Sequence, residues 1–120
     1  MKKKRNQKLE KLGLFSTETR NSIARGQQGY CYLCTNKIDD IHHKVHNTET
    51  NRKLFPTFIN SIFNGVGLCR QCHQDRFSEC DITLDMAVEY EQALQVLETM
   101  VLADVIKSYS KTETNYERNK

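Results

Sequence analysis

The sequence lacks tryptophan, has a single proline, and devotes only 8% of its 120 residues to aromatic side chains. A single domain of this size with so few large side chains buries a small core, so a metal or covalent cross-link would help to hold it together. The apolar runs are too short to span a membrane, and no apolar stretch follows the basic N-terminus as it would in a signal peptide. These absences favour a soluble, cytoplasmic protein without a membrane partner.

Charge is unevenly distributed, although the net charge is only +3. Residues 1–25 contain eight Lys/Arg and two acidic residues, residues 26–80 contain six and five, and residues 81–120 contain four and eight. The basic run at the start is typical of an arm that contacts phosphate groups through counterion release. The same composition also fits a solvated tail without function.

Four of the five cysteines form two CxxC pairs, Cys31 with Cys34 and Cys69 with Cys72. Two such pairs are typical of a tetrahedral structural zinc site. Two disulfides are the alternative, but the expected compartment is reducing. Cys80 lies outside the quartet and is expected to be a small buried apolar side chain.

The chain is expected to form one domain between two polar ends. Residues 1–15 predict a flexible basic arm, residues 16–107 the domain with its core at 29–80, and residues 108–120 a polar, frayed tail. The expected elements are a helix from Ser16 or Thr17 to Ala24, a strand over Ile38–Val45, a turn over Asn47–Lys53, a loop with a helical turn over Leu54–Phe63, a strand over Gly65–Leu68, a helix over Arg70–Ser78 and a long amphipathic helix over 83–106.

The histidines cluster around the cysteine pairs. Three of the four fall within residues 39–46, in the sequence DDIHHKVH, and His73 directly follows Cys72. A strand sends consecutive side chains to opposite faces, so His42 and His43 are expected to have different tasks. We expect one to hold a metal ion while the other faces substrate.

The order of these features resembles that of the HNH endonucleases. The resemblance rests on the two CxxC pairs, on Ile41-His42-His43 between them, and on Asn64 and His73 around the second pair. Upstream, residues 19–25 and 29–31 are similar to the helix and glycine turn that often precede the first pair, so the resemblance covers about residues 19–76.

The resemblance implies a small α+β fold, with a ββα-metal core stapled by a four-cysteine zinc site between a short N-terminal helix and a long C-terminal one. It implies hydrolysis of DNA phosphodiester bonds with His43 as general base, and a catalytic divalent ion (Mg²⁺, Mn²⁺, Ni²⁺ or Zn²⁺) held by His42 and His73. Asn64 would orient His43 or tie the two strands together. DNA is the implied partner, contacted partly by the basic arm.

Two features depart from the family pattern. His46 stands where many members have proline, and Asn47–Asn51 replaces the usual glycine pair of the following loop. His46 is either an additional metal ligand or phosphate contact, or an exposed histidine at the end of a strand. Asp40 is either a partner that fixes a histidine tautomer or a solvated acid.

Two other classes of function fit parts of the sequence. One is a zinc-stabilised nucleic-acid-binding module without catalysis, and the other is a docking subunit that uses the acidic C-terminal helix. As a nuclease, the protein is expected to be a monomer or weak homodimer that nicks one strand per active site. Restriction, homing, phage-packaging and repair roles all fit, as does a phage or bacterial origin.

Overall fold

The structure is a computed structural model that describes residues 12–118, with side chains described as far as residue 108. These residues form a small α+β unit with a two-stranded antiparallel sheet. The elements are α1 (Thr17–Gly26), β1 (Asp40–His43), α2 (Glu49–Leu54), a 3₁₀ turn (Ile62–Asn64), β2 (Gly65–Leu68), α3 (Arg70–Asp75), a second 3₁₀ turn (Phe77–Cys80) and α4 (Leu84–Arg118). Within this part of the chain, no helix combines the length and apolar character needed to cross a membrane.

The sheet places the histidine strand against the strand that leads into the second cysteine pair. His42 lies opposite Val66 and His43 opposite Gly65 in the antiparallel register. Helix α3 contacts both strands. The two strands and this helix therefore form a β-β-α arrangement, with the second cysteine pair at the junction of β2 and α3.

The bounds of the helices and strands match the predictions from the sequence in part. Helix α1 is confirmed, and the side chain of Ser16 caps it by accepting a hydrogen bond from the Thr19 N–H. Strand β1 is shorter than expected, and α3 ends at Asp75, before the expected Ser78, because a 3₁₀ turn follows. The backbone of α4 continues past residue 106 to Arg118, in place of the expected polar tail.

The predicted turn over Asn47–Lys53 is wrong. Residues Glu49–Leu54 form the short helix α2, and the Thr48 side chain caps it by accepting from the Asn51 N–H. The helix buries none of its side chains, so it has no apolar stripe for a periodicity argument to detect.

The N-terminal segment also differs from the prediction of a flexible arm over residues 1–15. Phe15 and Gly13 are buried, and the Leu12 carbonyl accepts a hydrogen bond from Asn47 Nδ2 at 2.9 Å. The part of the arm at residues 1–11 lies outside the described residues. Residues 12–15 therefore belong to the domain.

The core consists of two small apolar clusters. One surrounds the cysteines and contains Cys31, Val66, Leu68, Cys69, Cys72 and Cys80. The other contains Val45, Phe55, Phe58, Ile59 and Ala87, with Ile82 and Leu94 packed against it. Strand β1 leads from the first cluster toward the second, so the histidines lie between them.

Helix α4 is anchored to the domain by a buried carboxylate. Glu91 Oε1 accepts hydrogen bonds from the backbone N–H groups of Thr57 and Phe58, at 2.8 and 2.9 Å. Tyr90 stacks on Phe58 with ring centroids 4.9 Å apart. The apolar stripe of α4 packs on the domain only to about Leu94, because Leu97 and Val101 are 53% and 62% exposed.

Candidate metal centres and histidine-lined cavity

The four cysteines of the two CxxC pairs converge on one point. Their sulfur atoms all lie within 4.8 Å of one another, and Cys34 Sγ is 3.6 Å from Cys69 Sγ. Four thiolates around a zinc ion with Zn–S bonds of about 2.3 Å stand about 3.8 Å apart. All five cysteines are free thiols, so the geometry fits a structural metal ion such as zinc and not two disulfides.

The turns at the cysteine pairs direct backbone N–H groups at the sulfur atoms. Leu33 N lies 3.4 Å from Cys31 Sγ, and Cys72 N lies 3.4 Å from Cys69 Sγ. Burial disfavours the thiolate of Cys31, but hydrogen bonds from backbone groups outweigh it and lower its pKa to about 6. Burial raises the pKa of Cys72 to about 12, and a bound cation would favour its thiolate.

Gln27 braces this site, and its role is not visible in the sequence. Its Nε2 donates to the carbonyls of Tyr30 and Gly67, each at 2.9 Å, and its Oε1 accepts from the Gly67 N–H at 2.8 Å. One side chain therefore joins the first cysteine turn to strand β2. Cys80 is buried beside the cluster without belonging to the four ligands, as expected.

The four histidines surround a separate cavity. A pocket of about 420 Å³ is lined by Ile41, His42, His43, His46, Asn47, His73 and Phe77. An adjoining pocket of about 290 Å³ shares Ile41, His43 and His73 with it and adds Leu14, Phe15, Arg20 and Asp40. Together the two adjoining pockets are lined by four imidazoles and by the guanidinium of Arg20.

His42 and His43 leave the strand in different environments, as the alternation predicts. His42 Nε2 lies 2.9 Å from Asp81 Oδ1, and the ring of His42 is 5.2 Å from that of His73 between centroids. Burial lowers the pKa of His42 below its ordinary value, and the nearby Asp81 carboxylate opposes that shift.

His43 is held by the N-terminal segment. Its Nε2 lies 2.7 Å from the Gly13 carbonyl oxygen, and its ring stacks on Phe15 with centroids 4.1 Å apart. Burial lowers the pKa of His43, and the Gly13 carbonyl opposes the shift. The imidazole is therefore fixed in place and neutral near pH 7.

His73, on α3 directly after Cys72, lines the cavity beside His42. Its Nδ1 is 3.2 Å from Asp40 Oδ2. Arg70 also approaches this carboxylate, with its Nη2 3.8 Å from Asp40 Oδ1. Asp40 therefore contacts a histidine, as a partner that fixes a histidine tautomer would.

Asn64 ties the loops together and is fully buried. Its Oδ1 accepts from the Val45 N–H at 2.8 Å, and its Nδ2 donates to the carbonyls of Val45 and Ile59. The residue lies directly before β2, and Val45 lies two positions after the end of β1. Of the two roles expected for Asn64, these contacts correspond to tying the strands.

Sequence reasoning misses several residues of this site. It places Gly13 and Phe15 in a flexible arm, and it does not single out Asp81 or Arg20. In the sequence, the helix cap at Ser16 is the feature that indicates that the ordered part of the chain begins near Phe15. We identify no sequence signal for the contact of Asp81 with two histidines, because it depends on packing between distant segments.

The fold and site define a small α+β protein with a cysteine cluster able to hold a metal ion and a separate histidine-lined cavity. Comparison with known proteins adds no relative, since no family model, curated protein or solved structure matches the chain.

Proposed function

We propose that the protein is a metal-dependent endonuclease of the HNH type that hydrolyses DNA phosphodiester bonds, with His43 as general base. The observation that carries this proposal is the position of His43. A fixed imidazole whose pKa is lowered by burial lines a cavity together with three other histidines. A groove that only bound nucleic acid would need cations and aromatic rings more than converging imidazoles.

The contact with Gly13 selects the tautomer of His43. A carbonyl oxygen can only accept, so Nε2 carries the proton and donates it to Gly13. In a neutral imidazole the lone pair then resides on Nδ1, which is the nitrogen able to take a proton from water. Gly13 and Phe15 act here as positioning residues.

Beyond the positioned imidazole of His43, the proposed reaction needs few groups of the protein. His43 Nδ1 takes one proton from a water molecule, the water oxygen forms a bond to phosphorus, and the bond from phosphorus to the leaving oxygen breaks. The leaving oxygen then takes a proton from solvent. A divalent ion at the His42 side of the cavity would supply positive charge for the scissile phosphate and the leaving oxygen. The resemblance assigns His73 as the second ligand of that ion.

The surroundings of the cavity fit a polyanionic substrate. Arg20 lines the second pocket beside His43 and His73, where a guanidinium can contact a phosphate in bidentate fashion. Residues 1–11, with six Lys/Arg and one acidic residue, would add contacts along the DNA backbone. Residues 12–118 form one such histidine-lined cavity, which corresponds to cleavage of one strand.

The test is nicking of supercoiled plasmid DNA by the purified, zinc-loaded protein across a panel of divalent ions. Wild-type protein is expected to nick in an ion-dependent manner. His43→Ala is expected to lose on the order of 10²–10⁴ in rate, as removal of a general base does, with zinc content and DNA affinity retained. Arg20→Ala is the companion variant, expected to weaken DNA binding with a smaller loss of turnover.

Each outcome has a defined meaning. DNA binding without cleavage under every ion would replace the proposal with a zinc-stabilised binding module. Absence of both DNA binding and DNA cleavage would favour the third class of function, a docking subunit that uses the acidic C-terminal helix. Nicking by folded His43→Ala at the wild-type rate would refute the assignment of the base.

A further inference from the structure

Three side chains from three segments meet beside the cavity. His42 lies in β1, His46 lies three residues beyond the end of that strand, and Asp81 follows the 3₁₀ turn at Phe77–Cys80. His42 Nε2 is 2.9 Å from Asp81 Oδ1, and His46 Nε2 is 3.1 Å from Asp81 Oδ2. One potential ligand atom from each residue lies within 4.8 Å of the other two.

We propose that His42, His46 and Asp81 form a divalent-cation site of two imidazole nitrogens and one carboxylate. This proposal rests on the proposed function for the task of the ion, but the site stands on its own geometry. It replaces the ligand pair His42 and His73 that the resemblance implies. The donor set suits Mn²⁺, Zn²⁺ or Ni²⁺ better than Mg²⁺, which prefers oxygen ligands.

The arrangement has the features of an open metal site. His42 provides a buried ligand, while the side chain of His46 is 54% exposed and that of Asp81 27% exposed, so an ion can enter from solvent. His42 and His46 line the 420 Å³ cavity. Three protein ligands leave coordination positions for water or a phosphate oxygen on that side.

Phe77 holds the two imidazoles in place. Its ring centroid is 5.7 Å from that of His42 and 6.0 Å from that of His46. An apolar ring against both ligands restricts their rotation and limits water on that side, as the surroundings of metal sites commonly do.

His73 has a different partner and lies outside this ligand set. Its Nδ1 faces Asp40 at 3.2 Å, and this pair lies on the side of the cavity that also carries Arg20. We therefore assign His73, oriented by Asp40, to contact the substrate and not the ion.

The test is direct binding of Mn²⁺ to full-length protein prepared with a single zinc ion per chain, so that only the four-thiolate site is filled, followed by electron paramagnetic resonance of the free ion. The four-thiolate site keeps its zinc in this experiment because thiolates are poor ligands for Mn²⁺. Wild-type protein is expected to bind one Mn²⁺ per chain. His46→Ala and Asp81→Asn should each weaken binding roughly tenfold or more, whereas His73→Ala and the surface control Asp75→Asn should stay within about twofold.

Zinc content and thermal unfolding show whether each variant is folded. The side chain of His46 is exposed, so His46→Ala is expected to fold and can decide the test even if Asp81→Asn does not fold. Loss of binding in His73→Ala with His46→Ala unaffected would overturn the proposal in favour of the pair His42 and His73. Absence of any Mn²⁺ or Ni²⁺ bound beyond the structural zinc would overturn it altogether. Binding that depends on the three residues but supports no DNA cleavage would uphold the site and reject the proposed function.

Discussion

His43 and Gly13 are thirty residues apart in sequence, yet the imidazole Nε2 lies 2.7 Å from the Gly13 carbonyl oxygen. Gly13 adopts a positive φ of +69°, and an added Cβ would collide with Asn47 Oδ1 and come within 2.9 Å of the Arg52 side chain. The backbone conformation that aims this carbonyl at His43 is thus one that other residues adopt only with strain.

Gly13→Ala is therefore expected to displace the carbonyl and loosen His43. We expect a loss of about 1–2 kcal/mol in the free energy of unfolding and a fall in nicking rate of about 10- to 100-fold. The measurements are chemical denaturation and single-turnover cleavage. Gly26→Ala is the matched control, because a Cβ there meets no atom within 4 Å; an equal effect of both variants would show that the contact does not position the base.

Removal of the metal ion from the cysteine cluster is expected to unfold the domain. The four cysteines join segments that are 35 residues apart at Cys34 and Cys69. Without a cation, no bond holds these thiols together inside the apolar core that surrounds them. Elemental analysis should find one zinc per chain, and a strong chelator should abolish the cooperative thermal transition.

Cysteine variants separate ligation from packing at the same cluster. Cys34→Ser should lower zinc content and stability, while Cys80→Ser should keep the zinc with a smaller loss of stability. A folded protein that holds no zinc after purification without chelator would contradict this prediction.

Asn64→Ala should destabilise the protein by about 2–4 kcal/mol, since it leaves the buried N–H of Val45 without its acceptor. Asn64→Asp should not restore stability at neutral pH, because a carboxylate would face the carbonyl oxygens of Val45 and Ile59. Urea unfolding of the zinc-loaded variants measures both, with the exposed Asn21→Ala as control. If Asn64→Asp restored the stability, the shape of the side chain, and not its hydrogen bonds, would explain why asparagine is needed at position 64.

Two N-terminal deletions should separate charge from catalysis. Deleting residues 1–11 removes six Lys/Arg, so DNA affinity and its salt dependence should both fall while the turnover of bound DNA stays unchanged. Deleting residues 1–15 also removes Gly13 and Phe15, which contact His43, so turnover should fall as well. DNA titrations at several salt concentrations would detect the first effect, and an unchanged salt slope would identify residues 1–11 as a solvated tail.

The sequence predicts those parts of the structure that depend on local spacing. Two CxxC pairs bring four thiols together, and the spacing of Ala87, Tyr90 and Leu94 places them along one side of α4. Alternation along β1 predicts different surroundings for His42 and His43, and the two contact different partners although both line the 420 Å³ cavity. The helix spacing and the strand alternation each follow from the geometry of one element, whereas the thiol cluster follows from the ligand spacing typical of a zinc site.

The parts that sequence reasoning misses depend on packing between distant segments or lack an apolar pattern. The contact between Asp81 and His42 spans 39 residues, and no periodicity encodes it. Helix α2 is polar apart from the exposed Leu54 and buries no side chain, so its composition resembles that of a turn despite the cap at Thr48. Phe15 follows a segment rich in charged residues, and the helix cap at Ser16 is the one sequence signal that the ordered chain begins near it.

The position of Asp81 also bears on how the protein is made. A polypeptide that ends shortly after the second cysteine pair contains all four thiols and all four histidines, but it lacks the carboxylate that meets His42 and His46. It also lacks Glu91, which anchors the long helix. During synthesis the thiol cluster can thus assemble before the histidine and carboxylate group is complete, and chains terminated in this interval would carry the cysteine cluster without the proposed second metal site.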